Sequence, residues 1–141
     1  MRPIQQALSL AGLGLALSHA SAADLSVAVT GVRSEQGTVR IAVYDRPEGF
    51  RKEDKALHRL ALPAAVGQVQ ASFTRLAPGR YAVMVYHDED GNGRLNLRFG
   101  MIPQEGYGLS NAPQVLGPPA FTDAAFDLPA QGASIVIPLN Y

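Results

Sequence analysis

The chain has 141 residues, 12 Lys and Arg against 12 Asp and Glu, and no Cys. Without Cys there is no zinc ribbon, iron–sulfur cluster, thiol nucleophile or lipidated cysteine anchor. The charge balance, one unit negative once a leader carrying Arg2 is removed, argues against a dedicated nucleic-acid or anionic-membrane binder. A single domain of this size buries roughly two thirds of its unfolded surface and folds without disulfides.

The start of the chain has the order of a secretory signal peptide. Arg2 supplies the positive end, Ala7 to Leu17 is apolar apart from Ser9, Gly12 and Gly14, and Ala20-Ser21-Ala22 is a small-x-small cleavage site. The apolar run falls well short of the roughly 20 residues that a spanning helix needs. The expected organisation is a signal peptide over residues 1–22 and one domain over residues 23–141. That places the mature protein in the periplasm or outside the cell, with no transmembrane segment.

Leu25, Val27 and Val29 alternate with Ser26, Ala28 and Thr30, and after Ser34 to Gly37 Val39, Ile41 and Val43 alternate with Arg40, Ala42 and Tyr44. The two runs read as a hairpin. Val69, Ala71 and Phe73 give a third strand, and Pro78-Gly79 turns the chain into Arg80 to Tyr86, which is apolar on both faces and therefore reads as a central, doubly covered strand. Leu95, Leu97 and Phe99 predict a short strand beyond an acidic loop, and Ile135, Ile137 and Leu139 a closing one. This pattern predicts an all-β, single-domain antiparallel β-sandwich, immunoglobulin-like in its layering, with at most one short helix in a crossover.

That helix is expected within Glu48 to Leu60, where Arg51, Lys55 and Arg59 fall on one face. The basic stripe reads as a solvated face compensated by Glu53 and Asp54, and Phe50 as a plug pinning the crossover to the core. Residues 100–119 hold four Gly and four Pro, a long loop of the kind that carries function.

Asp88, Asp90 and Asn92 occupy positions 1, 3 and 5 of a calcium loop, with Gly93 at the turn position, the Arg94 carbonyl at 7 and Asn96 at 9. Hard oxygen ligands at alternating positions around one turn suit calcium. Position 12 is Phe99 rather than a bidentate glutamate, so Glu105 or water must complete the shell. The same residues also read as a hairpin turn, since Asn-Gly flanked by apolar alternation favours type I′ geometry. The two readings are compatible, and calcium is the one cofactor they point to.

Beyond this loop, Gly100 to Asn111 places Glu105, Tyr107, Ser110 and Asn111 on a glycine-freed backbone. With His87 these are the ligand-binding candidates. Gly108-Leu109-Ser110-Asn111-Ala112 is one residue from a nucleophile elbow but lacks the strand-to-helix context, and no catalytic residue is assigned. A plainer reading packs Tyr107 on the sandwich and spends Glu105, Ser110 and Asn111 on loop backbone.

Tyr81-Ala82-Val83, His87-Asp88, Asn92-Gly93, Pro103 to Asn111, and Gly117-Pro118-Pro119-Ala120-Phe121 with Ala124 and Phe126 form a set of blocks. Together they resemble domain-of-unknown-function family 2141, small secreted bacterial proteins. The resemblance spans nearly all of the mature chain. It implies a secreted or periplasmic sandwich of prealbumin-like or carboxypeptidase-regulatory-like character, and no established activity. Where many relatives carry an acidic residue, this chain has Asn96, which lowers the charge available to a metal. The transthyretin-like hydroxyisourate hydrolases end in a Tyr-Arg-Gly-Ser signature that Pro138-Leu139-Asn140-Tyr141 does not match.

The reading that follows is an exported, non-enzymatic domain binding a polar small molecule or an exported protein through its loops, a monomer or weak homo-oligomer. One alternative is a small periplasmic hydrolase using His87 with Asp88 or Glu105. The other is an assembly protein pairing through edge strands such as Ser134 to Leu139.

Overall fold

Alternation fixes which face of each strand is buried, and two sheets result. In the computed structural model, which describes Gly14 and residues 21–141, the first sheet holds β1 (Ala23–Val32), β4 (Gly67–Leu76) and β10 (Ala133–Pro138), in the order β10-β1-β4. The expected signal peptide, apart from Gly14, Ser21 and Ala22, lies outside the described residues. The second sheet runs β3 (His58–Pro63), β2 (Thr38–Tyr44), β5 (Gly79–Asp88), β8 (Tyr107–Leu109), with β9 (Phe126–Leu128) pairing the start of β5. A separate hairpin joins β6 (Leu97–Arg98) to β7 (Ile102–Pro103). The chain is an all-β sandwich, and no helix among the described residues is long and apolar enough to cross a membrane.

The sandwich core joins Leu25, Val27 and Val29 of β1 to Val39, Ile41 and Val43 of β2 across the interface. These two strands are therefore not the expected hairpin: β1 pairs with β10 and β4, while β2 pairs with β3 and β5. The connecting turn, with Gly37 at φ 68°, hands the chain from one sheet to the other. Alternation specifies a buried face but not the neighbour along the sheet.

The expected helix over Glu48 to Leu60 is also replaced. Only a 3-10 turn, Glu53–Lys55, forms, and β3 begins at His58. Gly49 (φ 78°) and Arg51 (φ 68°) break the helical backbone, and Leu60 and Leu62 pack on the sandwich core with the period of a strand. The supposed basic stripe is thereby scattered over loop, turn and strand. A helix appears elsewhere, α1 (Phe121–Ala124), with the Asp123 carboxylate accepting the Ala120 N–H at 2.7 Å.

β5 is buried on both faces, as its sequence requires. Tyr81, Val83 and Val85 face the sandwich core, whereas Ala82, Met84 and Tyr86 face a second core with Ala42, Tyr44, Leu109, Phe121 and Ala124. Phe50 plugs this layer, edge-on to Tyr44 at 5.3 Å and to Phe121 at 5.8 Å between centroids. Such pairs add about 0.5–1.5 kcal/mol each beyond the area they bury. Glu53 ties the crossover down by accepting from Arg40 (2.6 Å) and from the Tyr86 hydroxyl (2.6 Å). Among the described residues, the buried apolar side chains of the two cores lie between Ala23 and Leu139.

The Gly37 turn sits against the end of β5, where a Cβ would overlap the Asp88 carbonyl in addition to the strain of its positive φ. Gly37→Ala is expected to lower stability by about 2–4 kcal/mol. Gly67→Ala, also at positive φ (94°) but with open space around it, is expected to cost only about 1 kcal/mol. Urea denaturation of both variants checks the difference.

Candidate metal and ligand site

At its end, β5 directs His87 inward and Asp88 outward, and both are fully buried. His87 Nε2 lies 2.6 Å from the Gln36 carbonyl and Nδ1 2.8 Å from the Tyr141 hydroxyl. In the neutral imidazole Nε2–H must donate, because a carbonyl only accepts, and Nδ1 then accepts from Tyr141. The Tyr141 oxygen in turn accepts the Arg33 N–H at 3.1 Å. His87 thus closes one end of the sandwich with both ring nitrogens engaged.

Asp88 begins the acidic loop. Its Oδ2 accepts the Gly93 N–H at 2.9 Å, while its Oδ1 is buried with no hydrogen-bond partner, and the residue is only 1 % exposed. Asp90 accepts from the Asn96 amide (2.7 Å) and the Asn92 N–H (3.1 Å), which hold its carboxyl below the usual range. Asn92 bonds Asn96 through its own side chain and accepts the Arg94 N–H at 3.0 Å. Glu89 is clasped by Arg33 at 2.6 Å, and that guanidinium lowers its pKa.

Glu105 enters from the following loop. Its two oxygens accept the N–H groups of Glu89 and Asn96, both at 3.2 Å, so it braces the two ends of the acidic loop. Burial raises its pKa; the Asn96 N–H opposes that shift and the charges of Asp90 and Asp88 add to it. One oxygen from each of Asp88, Asp90 and Glu105 lies within 4.8 Å of the others. Glu105 therefore stands in space where Phe99 leaves position 12 of the loop without a ligand. The expected type I′ turn at Asn92-Gly93 does not form: positive φ falls at Gly91 and Gly93, not at Asn92, and β6 pairs with β7 rather than with β5.

Of the other candidates, Ser110 is buried, accepts the Val83 N–H at 2.9 Å and donates to the Ala124 carbonyl at 2.5 Å. Asn111 (φ 63°) donates to the Ala125 carbonyl at 2.6 Å. Ser110 fastens the start of the long loop to β5, and both residues tie it to the end of α1. Tyr107 instead borders a cleft of about 730 Å³ over that face. Met84 and Tyr86 form its floor with Tyr107, Leu95, Met101 and Pro118 stand in its walls, and Arg51, Arg94 and Asp54 reach it. Arg51 and Arg94 have no ion-pair partner among the described residues. Sequence reasoning missed this cleft because residues from five segments build it; the turn at Phe99-Gly100, a glycine after an apolar residue between two short apolar runs, was the one local signal.

Removing the Ser110 hydroxyl strands a buried N–H and a buried carbonyl. Ser110→Ala is expected to cost about 1–3 kcal/mol in an equilibrium melt, although the change is one oxygen.

Among curated proteins and among solved structures nothing matches this chain. The family model for uncharacterized proteins conserved in bacteria (DUF2141) matches residues 27–136, which take in all but the ends of the two cores together with the acidic loop and Glu105. The chain belongs to that family.

Proposed function

We propose that this chain is an exported, non-enzymatic β-sandwich domain, whose acidic loop binds calcium and whose adjoining cleft takes a small ligand. Residues 1–22, with their charged start, apolar run and small-x-small end, support export to the periplasm or beyond. One observation carries the calcium reading: Asp88, whose buried Oδ1 has no partner, belongs to a group of three residues that each offer one carboxylate oxygen within 4.8 Å of the others. A carboxylate oxygen shut away from water and from every donor is costly, and a divalent cation offsets both its desolvation and its neighbours' repulsion. Asp, Asn and Glu oxygens on a glycine-bearing loop suit the larger, more tolerant shell of calcium better than the strict octahedron of magnesium.

The cleft favours a ligand with an apolar body and a group able to accept from Arg51, Arg94 or the Tyr107 hydroxyl, a narrower class than a polar small molecule. Support for a non-catalytic role comes from the engaged nitrogens of His87 and the doubly bonded Ser110 hydroxyl. His58 pairs opposite Val43, at the far end of β2 from Thr38, the partner of Asp88.

The test is a thermal melt of residues 23–141 in EDTA and in millimolar calcium. Binding at a hundredfold excess over Kd stabilises by about 2.7 kcal/mol, a rise of roughly 10 °C for a domain of this size. Asp88→Asn is expected to abolish the rise and leave the midpoint in EDTA equal or higher, because one of three repelling charges is gone. A wild-type midpoint that ignores calcium would sink the metal reading, and a rise that survives Asp88→Asn would put the ion elsewhere.

A further inference from the structure

We propose that the β6–β7 hairpin is a membrane-docking element, with Phe99 and Met101 entering the interfacial region of an anionic bilayer and Arg98 lying among its headgroups. The first observation is the conformation of the tip. Phe99 (φ 55°) and Gly100 (φ 72°) are the central residues of a turn closed by the Met101 N–H on the Arg98 carbonyl at 3.2 Å. Two successive positive φ values define the turn that Asn-Gly fills at least strain, and an aromatic residue is disfavoured at the first of them. No core contact compensates, because Phe99 is 76 % exposed and Met101 72 %. A turn shaped for stability alone has no use for phenylalanine there, and retained strain of this kind marks functional positions.

The second observation is charge. From Arg94 to Gln104 the chain carries two arginines and no acidic residue, and the Arg98 guanidinium lies 5.0 Å over the Phe99 ring. An aromatic ring with a cation stacked on it suits the boundary between acyl chains and phosphates, where the ring is buried and the guanidinium stays with the headgroups. The third is the base. Gln104 N–H bonds the Asn96 carbonyl at 2.8 Å, and Glu105 holds the Asn96 N–H, so the tip stands on a fixed stem and little ordering remains on docking.

A lipid surface fits better than a protein partner. The hairpin pairs with no other strand among the described residues, and an exposed aromatic tip beside a stacked guanidinium matches the layered chemistry of a bilayer surface, which needs no partner of the roughly 800 Å² a side that a stable protein interface takes. The chain-wide charge balance supplies no long-range attraction, so docking rests on the apolar tip and Arg98 and is reversible.

The experiment is flotation of residues 23–141, in EDTA, with vesicles of phosphatidylcholine alone and of phosphatidylcholine mixed equally with phosphatidylglycerol. Calcium plays no part in it, so its outcome is separate from that of the metal reading. Wild type is expected to float with the mixed vesicles and less with the neutral ones. Phe99→Asn is expected to keep or raise the melting midpoint while cutting the floated fraction severalfold, a combination that a structural role for Phe99 does not produce. Arg98→Gln is expected to reduce the preference for phosphatidylglycerol. Because the chain has no Trp, Phe99→Trp introduces a single reporter whose emission should shift to the blue on vesicle addition. Equal flotation of Phe99→Asn and wild type would overturn the proposal. So would a wild type that floats with neither vesicle, including one that instead self-associates through Phe99.

Discussion

β5 has no face left for water. Tyr81, Val83 and Val85 lie against the opposite sheet, and Ala82, Met84 and Tyr86 on the other side need a cover that a two-layer sandwich does not supply. The loops must therefore act as a third layer. The crossover after β2 brings Phe50 and Glu53, and the long segment after β8 brings Phe121 and Ala124, each fastened by edge-on rings, by Arg40 and Tyr86 on Glu53, or by Ser110 and Asn111. The cleft is the part of that outer face the loops leave uncovered.

The acidic loop follows from the same constraint. Pleating sends Asp88 to the outer side of β5 directly after Tyr86, under the loop layer and away from water. Glu105 arrives there because β8 pairs antiparallel with β5, which returns the chain beside Tyr86 at Tyr107. Two carboxylates distant in sequence are thus pressed together by strand pairing, and Glu105 is repelled by Asp88 and Asp90 while its oxygens tether the loop by two N–H groups. One side chain is at once a brace and a source of electrostatic tension, as expected of a group whose position is decided by the backbone around it.

Much of this was legible in the residues. The alternation in β1, β2, β4 and β10, the two-faced apolarity of β5, and the spacing from Asp88 to Asn96 each encode local geometry, and Phe50 stood out as a plug. What stayed hidden depends on partners. Nothing in Leu25 to Val29 says that its neighbours are β10 and β4 rather than β2, and the charges of Arg51, Lys55 and Arg59 imitate a helical stripe until Gly49 and Leu60 are weighed. His87, Ser110 and Asn111 were visible as chemistry, but their hydrogen-bond partners, Gln36, Tyr141, Ala124 and Ala125, are set by the packing of distant segments. Phe99 read as the end of a strand because a left-handed aromatic is what no propensity anticipates.

The parallel pairing of β1 with β10 joins Leu25 to Ala133 and Thr30 to Pro138. Almost the whole described chain must therefore be available before β1 gains its second neighbour, and until then that strand has only β4 on one side. Pairings of such long sequence separation form slowly and late, since a large loop must be closed before any contact compensates. The first strand among the described residues is completed by the last, so as the chain emerges from its N-terminal side this sheet stays one strand short until the C-terminal segment is free to close it.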